Sequence, residues 1–372
     1  MSTTGQDRPP QEDHARFAAV LERELWDAGT SHIWSPYSVG SVLTLLAEGA
    51  AGRTRSELTD LLAPGGDLAE HVRALDEAVA AAEGLDLAVL NGLYVPADLP
   101  VRADFEERVR TRAGAEVDLV DFRGDAEGVR RKVNARVGEV TQGLIDELLS
   151  PGTIDPDVRM LLVNALWVKM VWLDPFEVGR TRDRVFHAPG GERKVPTMRR
   201  TGRMVHAEHD GWRMVSLPGE HGLTLDVFLG EDGPPDDRTL SALYRKRRGE
   251  QVELALPRFT VDSDIALLDP LAATTAPVRA LATDDADFSG ISEEPLKVDA
   301  IVHQSVLRVD ERGAEGAAAT AAVMTMAAGF PPKPKRFTVD RPFHVALRRG
   351  PALLFTGHVT DPVDPGPARS GS

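Results

Sequence analysis

Residues 311–332 read E-R-G-A-E-G-A-A-A-T-A-A-V-M-T-M-A-A-G-F-P-P. From Gly316 to Pro332 the run carries no charge, and most of it is Ala, Gly or Thr. Taken alone it reads as a surface linker or a short Ala-rich helix, since Ala has the best helix propensity. Its position argues otherwise. It lies between two strand patterns, Lys297 to Asp310 and Phe343 onward, and a long loop tucked into a strand-rich half is uncommon unless it has a function. Side chains this small fit almost any buried strand. Strand side chains alternate, so either Ala314, Gly316, Ala318, Thr320, Ala322 and Met324 point inward or Glu315 and its odd-numbered partners do. Only the first choice avoids burying a carboxylate.

Working outward, the second half of the chain is patterned for strands: Val158–Lys169, Lys194–Met198, Arg213–Leu217, Leu223–Leu229, Gln251–Thr260, Lys297–Asp310, Phe343–Arg348 and Leu353–Val359. The stretch Met160–Val168 is apolar on both faces, as in a strand with sheet neighbours and helices above it. The first 150 residues are instead periodic at three and four: Phe17–Leu25, Val39–Glu48, Ser56–Leu62, Leu68–Ala82, Ala103–Thr111 and Ala126–Leu149. Ser38 and Asp125 are the expected caps of the second and last of these. Helices early and sheets late define an α+β chain. No repeat and no long linker divides it, so a single domain over residues 14–361 is expected. Residues 1–13 and 362–372 are polar and rich in Pro, Gly or Ser, and are expected to be disordered.

Composition excludes several functions. The 43 basic and 58 acidic residues give a net charge of -15, the wrong sign for a nucleic-acid binder living on phosphate contacts. The absence of Cys removes disulfides, thiolate metal sites and Cys nucleophiles. No apolar signal core opens the chain and no stretch is long enough to span a bilayer, so a cytoplasmic protein without membrane contact is expected. There is no G-x-S-x-G or H-E-x-x-H, no G-x-G-x-x-G and no P-loop, so neither an enzyme nor a cofactor is expected. His206, Glu208 and His209 imitate a metal site but offer too few spaced ligands on what reads as an exposed segment, so no metal is expected. Arg245-Lys246-Arg247-Arg248 is a dense basic run, read as a solvated helix face in preference to a polyanion site.

The motifs together resemble one family. Glu311–Thr320 resembles the hinge of the reactive loop of inhibitory serpins: an acidic residue, a Gly, a second Glu and a run of small residues. Ser35-Pro36-Tyr37-Ser38 and L-L-A-E-G-A-A-G-R-T-R-S-E-L (Leu45–Leu58) resemble the family's early helical signature. V-N-A-R-V-G-E-V-T-Q-G-L-I (Val133–Ile145) is similar to the helix crossing the main sheet, and L-V-N-A-L-W-V-K-M-V-W-L-D-P-F (Leu162–Phe176) to the central strand. A-D-F-S-G-I (Ala286–Ile291), V-H-Q-S-V (Val302–Val306), R-P-F (Arg341–Phe343) and F-T-G-H-V-T-D-P (Phe355–Pro362) follow in family order. The chain is thereby identified as a member of the serpins, resembling a prokaryotic-type intracellular member without a signal peptide.

The resemblance implies a fold of early helices on a large mixed sheet, with two smaller sheets and an exposed reactive loop near residues 311–332. It implies a monomer whose partner is a serine protease. The protease attacks the loop and is trapped as an acyl-enzyme while the freed loop enters the large sheet. Glu311, Gly313, Ala314, Glu315, Gly316, Ala317, Ala318, Ala319 and Thr320 would form the hinge, with the even-numbered residues inward. The family's usual spacing puts cleavage at Ala327-Ala328, or one or two residues to either side, a site suited to elastase-like or subtilisin-like proteases. Ser35, Ser38, Asn164 and His303 map to the shutter beneath the sheet, while Lys169, Trp172 and Glu311 map to the breach where entry begins. Trp172 reads equally well as core filler. Ala314 stands where the family usually has Thr, Gly316 where it has Ala, and Gly138 where the crossing helix has an aromatic. The inward hinge positions Ala314, Gly316, Ala318 and Thr320 carry none of the bulky or charged residues that mark carrier, chaperone-like or storage members.

Overall fold

The computed structural model describes residues 11–64, 67–80, 85–230, 233–314 and 333–366. Hinge residues 315–320 and the expected scissile bond Ala327-Ala328 lie outside the described residues. Helices α1 (Glu12–Leu25), α2 (Pro36–Gly49), α3 (Gly52–Leu62), α4 (Leu68–Val79), α5 (Ala103–Arg110) and α6 (Phe122–Val140) occupy the first part of the chain, and α7 (Asp237–Lys246) and α8 (Leu268–Ala273) come later. Strands β1 (His32–Trp34), β2 (Leu87–Pro96), β3 (Ala115–Val120), β4 (Leu161–Val168) and β5 (Met170–Val171) lie among the early helices or just after them. Next come β6 (Arg182–Ala188), β7 (Gly191–His209), β8 (Trp212–Pro218), β9 (Leu223–Leu229), β10 (Arg248–Pro257) and β11 (Phe259–Ala266). The last strands are β12 (Ala300–Val309), β13 (Gly313–Ala314), β14 (Lys335–Thr338), β15 (Phe343–Arg349) and β16 (Ala352–Val359).

Capping residues set several of these boundaries. Ser35, rather than Ser38, caps α2: its Oγ accepts the Ser38 backbone N–H at 3.1 Å, and Pro36 takes the first helical position. Almost every residue of α2 is buried, because its apolar surface runs all the way round. Two aspartates start α6 twice. Asp121 accepts from Gly124 N–H and the non-helical Asp125 accepts from Gly128 N–H, so the helix is kinked between them. It ends at Val140, short of the expected Leu149.

Among the described residues, one mixed sheet orders its main strands β3-β2-β4-β12-β11, with β13 and β5 at one end. The other runs β1-β16-β15-β9-β8-β7-β10-β14, with β6 on β7. Two smaller sheets were expected; a single strand joins them here. β7 pairs with β6 and β10 over much of its length and passes to β8 at Val205–His209, which makes them continuous. Strand β4 is buried at every position, matching its unbroken apolar sequence.

At both ends, described residues that composition reads as free join the fold. Gln11 caps α1 and its N–H donates to Pro351 O, so residues 11–13 belong to the fold. Beyond Thr360, Val363 bridges to Thr260 and Asp364 accepts from Arg258 at 3.1 Å. These contacts tie down part of what reads as a free tail.

Candidate functional site at the sheet seam

Strands β4 and β12 are parallel neighbours, paired from Leu161/Ala300 to Ala165/Gln304. At the far end of the same two strands the pairing changes. There Ala314 stands opposite Val309 on one side and Met170 on the other, and Gly313 stands opposite Val171. Hinge residues Gly313 and Ala314 thus form a short antiparallel strand wedged into the top of the sheet. Gly313 is required by this fit, since a Cβ there would come within 1.8 Å of the Met170 carbonyl oxygen.

The wedge is anchored by the residues before it. Glu311 is fully buried, and its carboxylate accepts from Thr181 Oγ1 at 2.6 Å and faces Arg258 at 3.5 Å. The Trp172 indole donates to Asp310 O at 3.0 Å, and Trp172 N–H donates to Arg312 O at 2.9 Å. Phe176 packs edge-on against Trp172 and donates its N–H to Glu311 O. Trp172 and Glu311, grouped from the sequence, do meet here. Lys169 does not join them: its ammonium lies 3.7 Å from Asp86. Burial raises the Asp310 carboxyl above its usual range.

Sequence reading missed Thr181, Phe176, Arg258 and Asp310 in this cluster. Thr181 and Arg258 come from segments without a motif of their own, whereas Phe176 closes the quoted Leu162–Phe176 run and Asp310 directly precedes Glu311, though neither was given a role there. A signal was available at Arg258, a cation inside a strand-patterned apolar run, which needs a buried anion.

A second polar cluster spans the seam where β4 and β12 still pair. His303 stands opposite Asn164 in register, and its Nδ1 meets Asn164 Oδ1 at 2.7 Å. Its Nε2 accepts the Ser35 backbone N–H at 2.9 Å. A backbone N–H can only donate, so the neutral ring carries its proton on Nδ1 and donates to Asn164. Asn164 Nδ2 in turn donates to Asn91 Oδ1 at 2.6 Å and to Ser38 O at 3.0 Å. Ser35, Ser38, Asn164 and His303 are all fully buried and lie in one network, with Asn91 and Ser305 as members that the sequence did not single out. Burial pushes the His303 imidazole down to about 3.

One sequence expectation elsewhere changes. His206 is buried, with Nδ1 2.9 Å from Glu250, because it pairs toward the core between β7 and β10; it does not lie on an exposed segment. Among the described residues no group of three His, Asp or Glu is arranged to hold a metal ion. No helix of the described residues is long and apolar enough to cross a membrane.

The site is thus a two-residue strand wedged at the end of a mixed sheet, with a buried polar cluster across the β4–β12 pair. The family model for serpin (serine protease inhibitor) matches residues 12–362, and the chain belongs to the serpin family. It is 32% identical over 377 residues to an uncharacterized serpin-like protein of Thermococcus kodakarensis, covering 97% of this chain and 87% of that one. Among solved structures it is similar to Serpin48 of the insect Tenebrio molitor, at TM-score 0.80 and 28% identity, covering 97% of this chain and 100% of the other. The fold is also that of human thyroxine-binding globulin complexed with thyroxine, at TM-score 0.83 and 24% identity over 95% and 98% of the two chains. As a family, serpins are serine protease inhibitors.

Proposed function

We propose that this protein inhibits serine proteases as a suicide substrate: a protease cuts near Ala327-Ala328, and the freed loop enters the large sheet between β4 and β12. The observation that carries the reading is the pairing of Gly313–Ala314 between β12 and β5. Antiparallel strands step in opposite directions, so the register of Ala314 can be extended along both neighbours. Gly316 would then face Leu307 and Val168, Ala318 would face Ser305 and Leu166, and Thr320 would face His303 and Asn164. Every one of these partners is buried. The even-numbered residues therefore fall on the inward face, the register that the position of Glu315 demands on its own.

Entry has two barriers in this reading. The five-residue ladder between β4 and β12 must separate, and the His303–Asn164 hydrogen bond crosses that ladder. Thr320 is the one hydroxyl among these inward residues that would arrive at the polar cluster, so it replaces part of what is broken. Small side chains elsewhere let the strand close over the core without overpacking. A small neutral residue at the cleavage point fits proteases with small or shallow apolar pockets, of the elastase-like or subtilisin-like kind.

A second reading, as a small-molecule carrier, is favoured by a cleft of about 560 Å³ between α1, α7 and strands β9, β15 and β16. Phe228, Leu240, Tyr244 and Leu353 line it, with Arg245 and Arg247 among the polar residues. Incubation with a panel of serine proteases, read on a denaturing gel, separates the two. The inhibitory reading expects a covalent band at the summed mass with an elastase- or subtilisin-type enzyme. Cleaved protein with fully active protease throughout the panel would overturn it.

A further inference from the structure

Beside the hinge anchor lies a hollow of about 320 Å³ lined by Gly179, Arg180, Arg182, Arg199, Arg200 and Thr201. Four guanidiniums around one hollow are unexpected in a chain of net charge -15. Three of them have carboxylate partners: Arg180 with Glu177 at 2.8 Å, Arg200 with Asp174 at 3.2 Å, and Arg199 with Glu253, which Arg336 also approaches at 3.6 Å. Arg182 has none among the described residues; its guanidinium donates only to Thr181 O, at 2.7 Å. Arg200 is nearly buried against the Phe176 ring, 5.3 Å from its centre, and its Nε is buried without a hydrogen-bond partner. Arg200 also donates to the Asp174 backbone carbonyl; a guanidinium has five donors and stays charged, so these acceptors do not use them all.

We propose that this hollow binds a polyvalent oxyanion of the phosphate or sulfate class and that the occupant restrains the hinge. Oxyanions of this class accept many charge-assisted hydrogen bonds in the fork geometry that arginines offer. Thr201 lines the same hollow and brings a hydroxyl that can donate. The link to the hinge is direct. Arg182 holds the carbonyl of Thr181, whose hydroxyl donates to Glu311, and Arg200 packs on Phe176, whose N–H donates to the Glu311 carbonyl. An anion that fixes both arginines fixes the segment from which Glu311 hangs. The restraint on the hinge rests on the inhibitory reading; the binding does not.

Isothermal titration with tripolyphosphate, inorganic phosphate and sulfate, at ionic strength held constant with chloride, tests the site. Wild type should bind tripolyphosphate one to one, and Arg180→Gln/Arg182→Gln, both changes at exposed positions, should weaken it at least tenfold. Arg73→Gln, an exposed arginine on α4, should leave it unchanged. A sulfated polysaccharide distinguishes the source: competition with tripolyphosphate means that the site takes esters on a polymer, and absence of competition means that it takes the free ion. Equal binding by wild type and the double variant, or loss of binding only when Arg245 and Lys246 are replaced by Gln, would overturn the assignment. For the hinge, tripolyphosphate at saturation should shift the products of a protease reaction severalfold from covalent complex toward cleaved protein, and not in the double variant. Covalent complex that forms without anion and is unchanged by it overturns the restraint alone; no complex under either condition overturns the inhibitory reading instead.

Discussion

His303 shows how one side chain is made both structural and conditional. Its ring has to be neutral, because Nε2 must accept from Ser35 while Nδ1 donates to Asn164. Burial holds it so, with its value lowered to about 3, whereas the same ring in the unfolded chain protonates near 6.5. Between those values the unfolded chain binds the extra proton. The stability that neutral His303 contributes is therefore complete above about pH 6.5 and is lost as the pH falls toward 3. Its share should be about 2 kcal/mol between pH 6.5 and 5, at roughly 1.4 kcal/mol per unit. Chemical denaturation at the two pH values should show the difference shrinking by that amount in His303→Gln. An unchanged pH dependence would mean that the proton is taken up elsewhere. His14, also buried and lowered to about 3, gives the comparison, since His14→Gln should act on the pH dependence in the same way without touching the seam. At the other end of the mechanism, Ala327→Arg should redirect the protein from elastase- or subtilisin-type to trypsin-type proteases, whose primary pocket pairs a buried carboxylate with a cation. Mass spectrometry of the released C-terminal peptide reads the register: a first residue other than Ala328 in the wild type moves the scissile bond.

At the scale of elements, the proposed mechanism makes the two-residue strand β13 the point at which being cut would lead to inhibition or to release. Position 314 faces Val309 and Met170, both fully buried, so Ala314→Arg places a guanidinium where an unpaired charge costs several kcal/mol. Entry should stall at its first step while the distant scissile bond keeps its sequence. The protease should then attack at a similar rate and be released active, with cleaved protein in place of the covalent band. Equal trapping by variant and wild type would mean that residue 314 does not enter the sheet. The strands flanking this site were plain in the sequence: β4 is one apolar run, and β12 alternates buried and half-buried residues as its pattern requires. Strand β2 was not. Leu87–Pro96 is buried along most of its length, so it lacks alternation, and Asn91-Gly92 in its middle reads as a turn. Asn91 is instead a buried partner of Asn164, and only the assembled sheet places it there. The partner of Lys169 was equally illegible. Sequence placed it near Trp172, and the structure sets its ammonium 3.7 Å from Asp86, while Arg258, between β10 and β11, and Thr181, just before β6, meet Glu311.

For the whole molecule the question is whether the described state is the most stable arrangement of these strands. The seam between β4 and β12 is joined by a short ladder and one side-chain bridge, and a strand of matching register is already started at its top. The continuation of that strand cannot follow while both of its ends are tied, at Ala314 in one sheet and at Lys335 beside β10 in the other. Cutting the loop removes the second tie. In the proposed register each residue that enters would add main-chain hydrogen bonds to two strands and bury small side chains against Leu307, Leu166 and their neighbours, so the cut chain would gain a sheet strand. A single cut normally loosens a protein, because it frees chain ends without adding contacts. Here the expected sign is the reverse. The nicked protein, with both fragments retained, should melt higher than the intact one by an amount on the order of tens of degrees, given about 2 to 4 °C per kcal/mol for a large domain. Calorimetry of protein cut once near Ala327 by a non-target protease measures this directly. An unchanged or lower melting temperature, in protein shown by mass to be cut at that one bond, would mean that the seam does not accept the loop and that inhibition by insertion is not available to this chain.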